Sequence, residues 1–113
     1  MAKKINLNDY LGHSMDCTCG KEHKTNLKIV DIDKDAVSRL PKHIEALGYK
    51  KPFLVADVNT WAAAGALAAE KLDVAGISYK KYIFNEKELI PDERTLGSLM
   101  MAFSRDCDVI VAV

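Results

Sequence analysis

The sequence predicts an α/β layer on a mainly parallel sheet, and three observations carry that prediction. Segments of strand length recur at residues 53–56, 78–84 and 109–113, the first and last of them apolar throughout. Segments with apolar residues spaced by three and four stand between them. Turn residues, among them Gly48, Gly76 and Pro91, punctuate the alternation. Strands that alternate with helices argue parallel pairing joined by right-handed crossovers. A length of 113 residues suits one domain with its own core.

Residues 1–26 carry little apolar periodicity and concentrate Asn, His, Cys, Gly and Thr, so they read as a helical turn near residues 7–11 followed by an irregular arm. Residues 27–32 alternate apolar and polar types, which fits a strand. Val37, Leu40, Ile44 and Leu47 then share one helical face, and Gly48 is the expected C-cap. Pro41 falls inside this pattern and would remove an intrahelical bond. The first turn is therefore expected as a separate segment, with Pro41 near the start of the main helix. Residues 53–56 are apolar without alternation, the pattern of a strand buried on both faces, and Asp57 stands at its carboxyl end. Asn59 or Thr60 is expected to cap an Ala-rich helix running through Leu72, with Gly76 in the exit turn. Residues 78–84 return as a strand. Pro91-Asp92-Glu93 opens another helix, whose buried face is expected from Leu96, Leu99, Met100 and Phe103. Residues 109–113 form a last strand, apolar throughout. Because that strand lacks a turn after it, the natural polypeptide is expected to continue beyond Val113.

With 49% hydrophobic and 28% charged residues, disordered and low-complexity classes are excluded. Sixteen basic residues balance sixteen acidic ones, and no run of like charge supplies the footprint that nucleic acid or an anionic membrane would need. The start, Met1-Ala2-Lys3-Lys4, lacks the apolar stretch of a secretory signal, and no segment reaches the length of a membrane span, so a cytoplasmic location is expected. Three cysteines give no disulfide framework. Cys17 and Cys19 are too close to bridge easily, and Cys107 beside an apolar run reads as a buried free thiol.

Asp57 leads the candidate site residues. A carboxylate at the end of a buried strand is placed to accept hydrogen bonds from the vicinal hydroxyls of a ribose, although the same Asp can simply order the strand-to-helix turn. The GxGxxG dinucleotide fingerprint is absent from the chain. A phosphoacceptor receiver, suggested by Asp31, Asp33 and Asp57, is disfavoured because only one helix fits between the acidic sites. Cys17, Cys19 and His23, with His13 upstream, offer soft ligands for zinc. The C-x-C spacing is tight and no second ligand pair follows, so no metal site is assigned to them. Trp61 could stack on an adenine but reads more simply as packing between helix and sheet, Lys80 and Lys81 as edge charge, and His43 as solvated. No nucleophile with a visible base is present, and no catalytic residue is assigned.

Three stretches together carry a family resemblance: Cys17-Thr-Cys-Gly-Lys-Glu-His23, Pro52-Phe-Leu-Val-Ala-Asp-Val-Asn-Thr60, and Ile90-Pro-Asp-Glu-Arg-Thr-Leu96 leading to Cys107-Asp-Val-Ile-Val-Ala-Val113. They resemble the N-terminal part of the sn-glycerol-1-phosphate dehydrogenases, within the iron-containing alcohol dehydrogenase and dehydroquinate synthase-like superfamily. The resemblance implies that residues 27–113 are a Rossmann-like NAD(P)-binding lobe. In the family the final strand runs into a glycine turn for the cofactor pyrophosphate, so the lobe is expected to be truncated at that strand. It also implies cofactor-binding roles for Asp57, Asn59, Thr60 and Asp92, with NAD or NADP as cofactor. For the parent enzyme it implies reversible hydride transfer between NAD(P)H and dihydroxyacetone phosphate, with a small phosphorylated polyol as product; self-association of the fragment into homo-oligomers is expected from its exposed final strand and absent partner domain. The family's zinc or iron-group metal is held by an Asp and two His of a C-terminal helical domain, so the fragment itself is expected to be inactive. A glycerol dehydrogenase or dehydroquinate synthase would share this lobe. The rival reading is a non-catalytic stand-alone module with a metal-binding Cys/His arm.

Overall fold

The computed structural model describes residues 6–113, so the first five residues of the N-terminal arm, and the polar start read above, lie outside the described residues. Two compact units follow one another, Met1–Asp33 and Lys34–Val113. Among the described residues no helix is long and apolar enough to cross a membrane.

The first unit opens with a 3-10 turn, Leu7–Tyr10, where helical geometry was expected; the Asn6 side chain accepts from the Asn8 backbone N–H and so caps it. The stretch expected to be irregular then contains a hairpin. Strands β1 (Ser14–Asp16) and β2 (Glu22–Lys24) pair antiparallel, with Met15 opposite His23. Gly20 supplies the positive φ, +77°, that this tight connection needs. The strand expected at residues 27–32 is not formed: the segment has no regular secondary structure, and Leu27 and Ile32 are exposed. Alternation defines a face but not a partner, and both edges of the central sheet strand are taken by other segments.

In the second unit a 3-10 turn, Ala36–Arg39, precedes α1 (Leu40–Ala46), with Pro41 in the first turn of the α-helix where its missing N–H costs nothing. Gly48, at φ +82°, ends α1 in a Schellman motif: the Tyr49 N–H donates to the Ile44 carbonyl and the Gly48 N–H to that of Glu45. Strand β3 (Pro52–Asp57) follows, then α2 (Val58–Thr60), a π-helical stretch over Trp61–Gly65, and α3 (Ala66–Val74). The cap of this helical run is Asp57 rather than Asn59 or Thr60. Strand β4 (Lys80–Phe84), α4 (Glu93–Ala102) and β5 (Val109–Ala112) complete the unit.

The sheet is three-stranded and wholly parallel, in the order β4-β3-β5. β3 lies in the centre, which is why its apolar run shows no alternation: Phe53 and Leu54 are each 1% exposed although they point to opposite faces. On one face Leu54 packs with Ile44, Ala69 and Leu72, flanked by Leu40, Trp61, Ile77, Tyr79 and Val111. On the other, Phe53 meets Phe103 edge-to-face at 5.2 Å between centroids, and Tyr82 meets Phe84 at 4.8 Å. This second face is thinly covered. The stripe expected to be core on α4 is largely exposed, with Leu96 at 57% and Met100 at 69%, and Ile110 of β5 is also exposed.

Salt bridges and turns fasten the amino edge of the sheet. The Asp108 carboxylate accepts from the Lys50 and Lys51 backbone N–H groups at 2.8 and 2.9 Å, which holds it below the usual carboxylate range. Asp106 pairs with Lys51, and with Lys80 at 3.1 Å, and Ser104 donates to it; its acidity is strengthened chiefly by Lys51. Lys80 is therefore an anchor between β4 and the loop before β5 rather than plain edge charge.

Candidate functional site at the carboxyl edge of the sheet

The strand order locates a site before any side chain is considered. The chain leaves β3 for β4 on one side, then crosses to β5 on the other, so the connections diverge at β3. In open α/β sheets the crevice beyond the carboxyl ends of the strands, at such a reversal, is where ligands bind. The helices lie on both faces of the sheet, as that geometry requires.

Asp57 stands at this edge. It is the N-cap of α2, with Oδ1 accepting from the backbone N–H groups of Asn59 and Thr60, both at 2.8 Å. The Thr60 hydroxyl in return accepts from the Asp57 backbone N–H at 3.0 Å, closing a capping box. The turn-ordering role weighed for this Asp is thus present in full, and it uses one carboxylate oxygen of the two. The Asn59 amide donates to the Lys87 carbonyl at 3.2 Å, which ties the β3–α2 turn to the loop between β4 and α4.

Asp92 caps α4 in the same way, accepting from the Thr95 N–H at 2.9 Å, which lowers its pKa. The Thr95 hydroxyl donates to the Ile90 carbonyl at 2.6 Å. Phe84 is the register partner of Asp57 on β4. It lines, with Pro91, Asp92, Thr95, Leu96 and Leu99, a cavity of about 500 Å³ with a mostly apolar wall. A smaller recess of about 280 Å³ adjoins it on the loop side. Asn59, Thr60 and Asp57 thus share one turn, and Asp92 lines the cavity beside it. Sequence reasoning missed Phe84, Leu96 and Leu99 as cavity walls, because their spacing is that of ordinary core positions.

Trp61 is committed elsewhere. It packs against the core cluster and carries Lys81 Nζ 4.7 Å from its ring centroid. A Cβ on buried Gly65 would stand 2.6 Å from Trp61 Cε3, so the π-helical stretch and its glycine make room for the indole. His43 is half-buried rather than solvated, and Cys107 is the buried free thiol expected of it.

In the N-terminal unit the structure brings together what spacing had left unassigned. The ligand atoms of Cys17, Cys19 and His23 lie within 4.8 Å of one another, all exposed. Hydrogen bonding from the Cys19 backbone N–H holds the Cys17 thiol below its ordinary pKa.

The chain is similar in sequence to known proteins along most of its length. The chain is 33% identical over 102 residues to a glycerol-1-phosphate dehydrogenase [NAD(P)+] of Halalkalibacterium halodurans, covering 87% of the chain and 26% of that protein. It is 34% identical over 84 residues to the protein of the same name from Bacillus velezensis, 72% of the chain and 21% of the relative. With that of Geobacillus stearothermophilus it shares 25% identity over 111 residues, 95% of the chain and 28% of the relative. The chain spans about a quarter of the length of the curated relatives it matches. No family model matches it, and no solved structure does.

Proposed function

We propose, from its similarity to glycerol-1-phosphate dehydrogenases of which it spans about a quarter, that residues 27–113 are the NAD(P)-binding lobe of such an enzyme, holding the adenosine half of the dinucleotide at the carboxyl edge of β3. The observation that carries the proposal is the switch in strand order at β3, with an Asp at its end and an apolar cavity beside it. The cavity wall of Phe84, Leu96 and Leu99 suits a flat ring, and Asp92 at its rim suits a polar ring edge. Asp57 offers Oδ2 to a ribose hydroxyl while Oδ1 keeps the helix capped, and Asn59 and Thr60 hold the turn in which it sits.

In the whole enzyme the bound cofactor supplies a hydride for reduction of dihydroxyacetone phosphate to sn-glycerol 1-phosphate. A cytoplasmic location and a role in phospholipid metabolism go with that reading. No Asp with two His converges among residues 27–113 to hold the zinc or iron-group metal of such an enzyme; the His/Cys trio of the described residues, Cys17, Cys19 and His23, lies in the N-terminal unit. This chain is accordingly expected to bind nucleotide without catalysing the reaction.

The charge on Asp57 should repel the 2'-phosphate of NADP. Asp57→Asn retains a good N-cap while removing that charge. Titration by fluorescence should show NADH weakened more than NADPH, and equal losses would remove Asp57 from the ribose site.

A further inference from the structure

We propose that the N-terminal hairpin is a second, independent site, which binds one zinc ion through Cys17, Cys19 and His23. Strand periodicity builds it. Met15 lies opposite His23 in the β1–β2 register, and Cys17, two residues past Met15, returns to the same face of the hairpin. The turn that follows is closed by the Gly20 N–H donating to the Cys17 carbonyl at 3.0 Å, with Gly20 at φ +77°. That turn folds Cys19 back over the face, so Cys19 Sγ comes within 3.1 Å of His23 Nε2. The three donor atoms lie within 4.8 Å of one another.

Those separations come within about 1 Å of those around a single ion. Zinc takes thiolate sulfur at about 2.3 Å and imidazole nitrogen at about 2.0–2.1 Å, so donors around a tetrahedral centre sit roughly 3.5–3.8 Å apart. The Cys19–His23 pair needs to open by only about half an ångström to admit it. Two thiolates with one imidazole are a borderline-soft set, suited to zinc and poorly suited to magnesium or calcium. All three side chains are exposed, so the fourth coordination position opens to water. The short C-x-C spacing, which argues against a zinc site when the sequence is read as a linear pattern, is absorbed by the turn at Gly20.

The test is titration of the reduced chain with Co²⁺ as a spectroscopic probe, followed by competition with Zn²⁺. One equivalent should give thiolate-to-cobalt charge-transfer absorption and the visible bands of a tetrahedral ion, displaced by one equivalent of zinc. Cys17→Ser and Cys19→Ser should each lower affinity by at least about 100-fold, more than substitution of a supporting residue costs. His23→Gln should keep the sulfur band and weaken binding. Cys107→Ala, a buried thiol in the other unit, should leave the titration unchanged. Circular dichroism of the Ser variants checks that the fold is retained, since all three ligands sit on an exposed hairpin. Absence of thiolate absorption at stoichiometric cobalt, or equal affinity in the Cys17→Ser/Cys19→Ser double variant, would overturn the site. Neither result bears on nucleotide binding, which is measured separately with NADH.

Discussion

At Asp57 one carboxylate meets two demands. Capping α2 uses Oδ1, and the proposed ribose contact uses Oδ2, so the two can be separated by substitution. Asp57→Ala should cost about 0.5–2 kcal/mol of stability through the lost cap, whereas Asp57→Asn should cost a few tenths at most by thermal denaturation. Gly65 makes the opposite kind of demand, for absence of a side chain. The Cβ of Gly65→Ala would meet Trp61 Cε3 at 2.6 Å, so this variant should lose about 1–3 kcal/mol, and Trp61→Leu in the same chain should recover much of it. Asp106 supplies a pH-dependent fastening. A carboxylate whose folded pKa lies below its unfolded value stabilises the fold above that unfolded value and ceases to do so as pH falls through the folded one. Wild type should therefore exceed Asp106→Asn in melting temperature at neutral pH, and the gap should close as pH drops below about 4, the ordinary range of an Asp. A gap that persists unchanged in acid would exclude the Lys51 and Lys80 pairing as its cause.

Among the elements, the two helical layers differ in how they hold the sheet. Leu72 of α3 is wholly buried beside Leu54, whereas Met100 of α4 is 69% exposed. Leu72→Ala should cost about 2–5 kcal/mol and Met100→Ala within about 0.5 kcal/mol, read by urea unfolding. The same contrast explains what the sequence could reveal. The buried central strand, the Gly48 and Gly76 helix ends and the Pro41 helix start were legible, because each depends on local chemistry that survives in any context. Phe103 does pack on Phe53, but Leu96 and Met100 of the same expected stripe are exposed, because helical spacing reports a face, not whether anything lies against it. Residues 27–32 failed as a strand for the same reason. Asn59 and Thr60 were misplaced as caps, since the carboxylate one turn earlier satisfies both of their N–H groups.

At the scale of the molecule, strand order supplies what motifs could not. The absent GxGxxG left Asp57 without a context, and the order β4-β3-β5 provides one by setting it beside a topological reversal. The Cys/His trio was visible as residue types but not as a cluster, because convergence depends on the hairpin register and the Gly20 turn. The two proposed sites lie in different units, so loss of one should leave the other's ligand affinity intact.

Amide chemical-shift mapping of the labelled chain with AMP and with NADH tests the dinucleotide site most directly, since it reads weak binding residue by residue. Shifts should concentrate in Asp57, Asn59 and Thr60, at Phe84, and in Asp92, Thr95 and Leu96, with NADH and AMP perturbing the same set. Shifts confined to other surfaces, or none at millimolar ligand, would contradict an adenosine site at the carboxyl edge of β3.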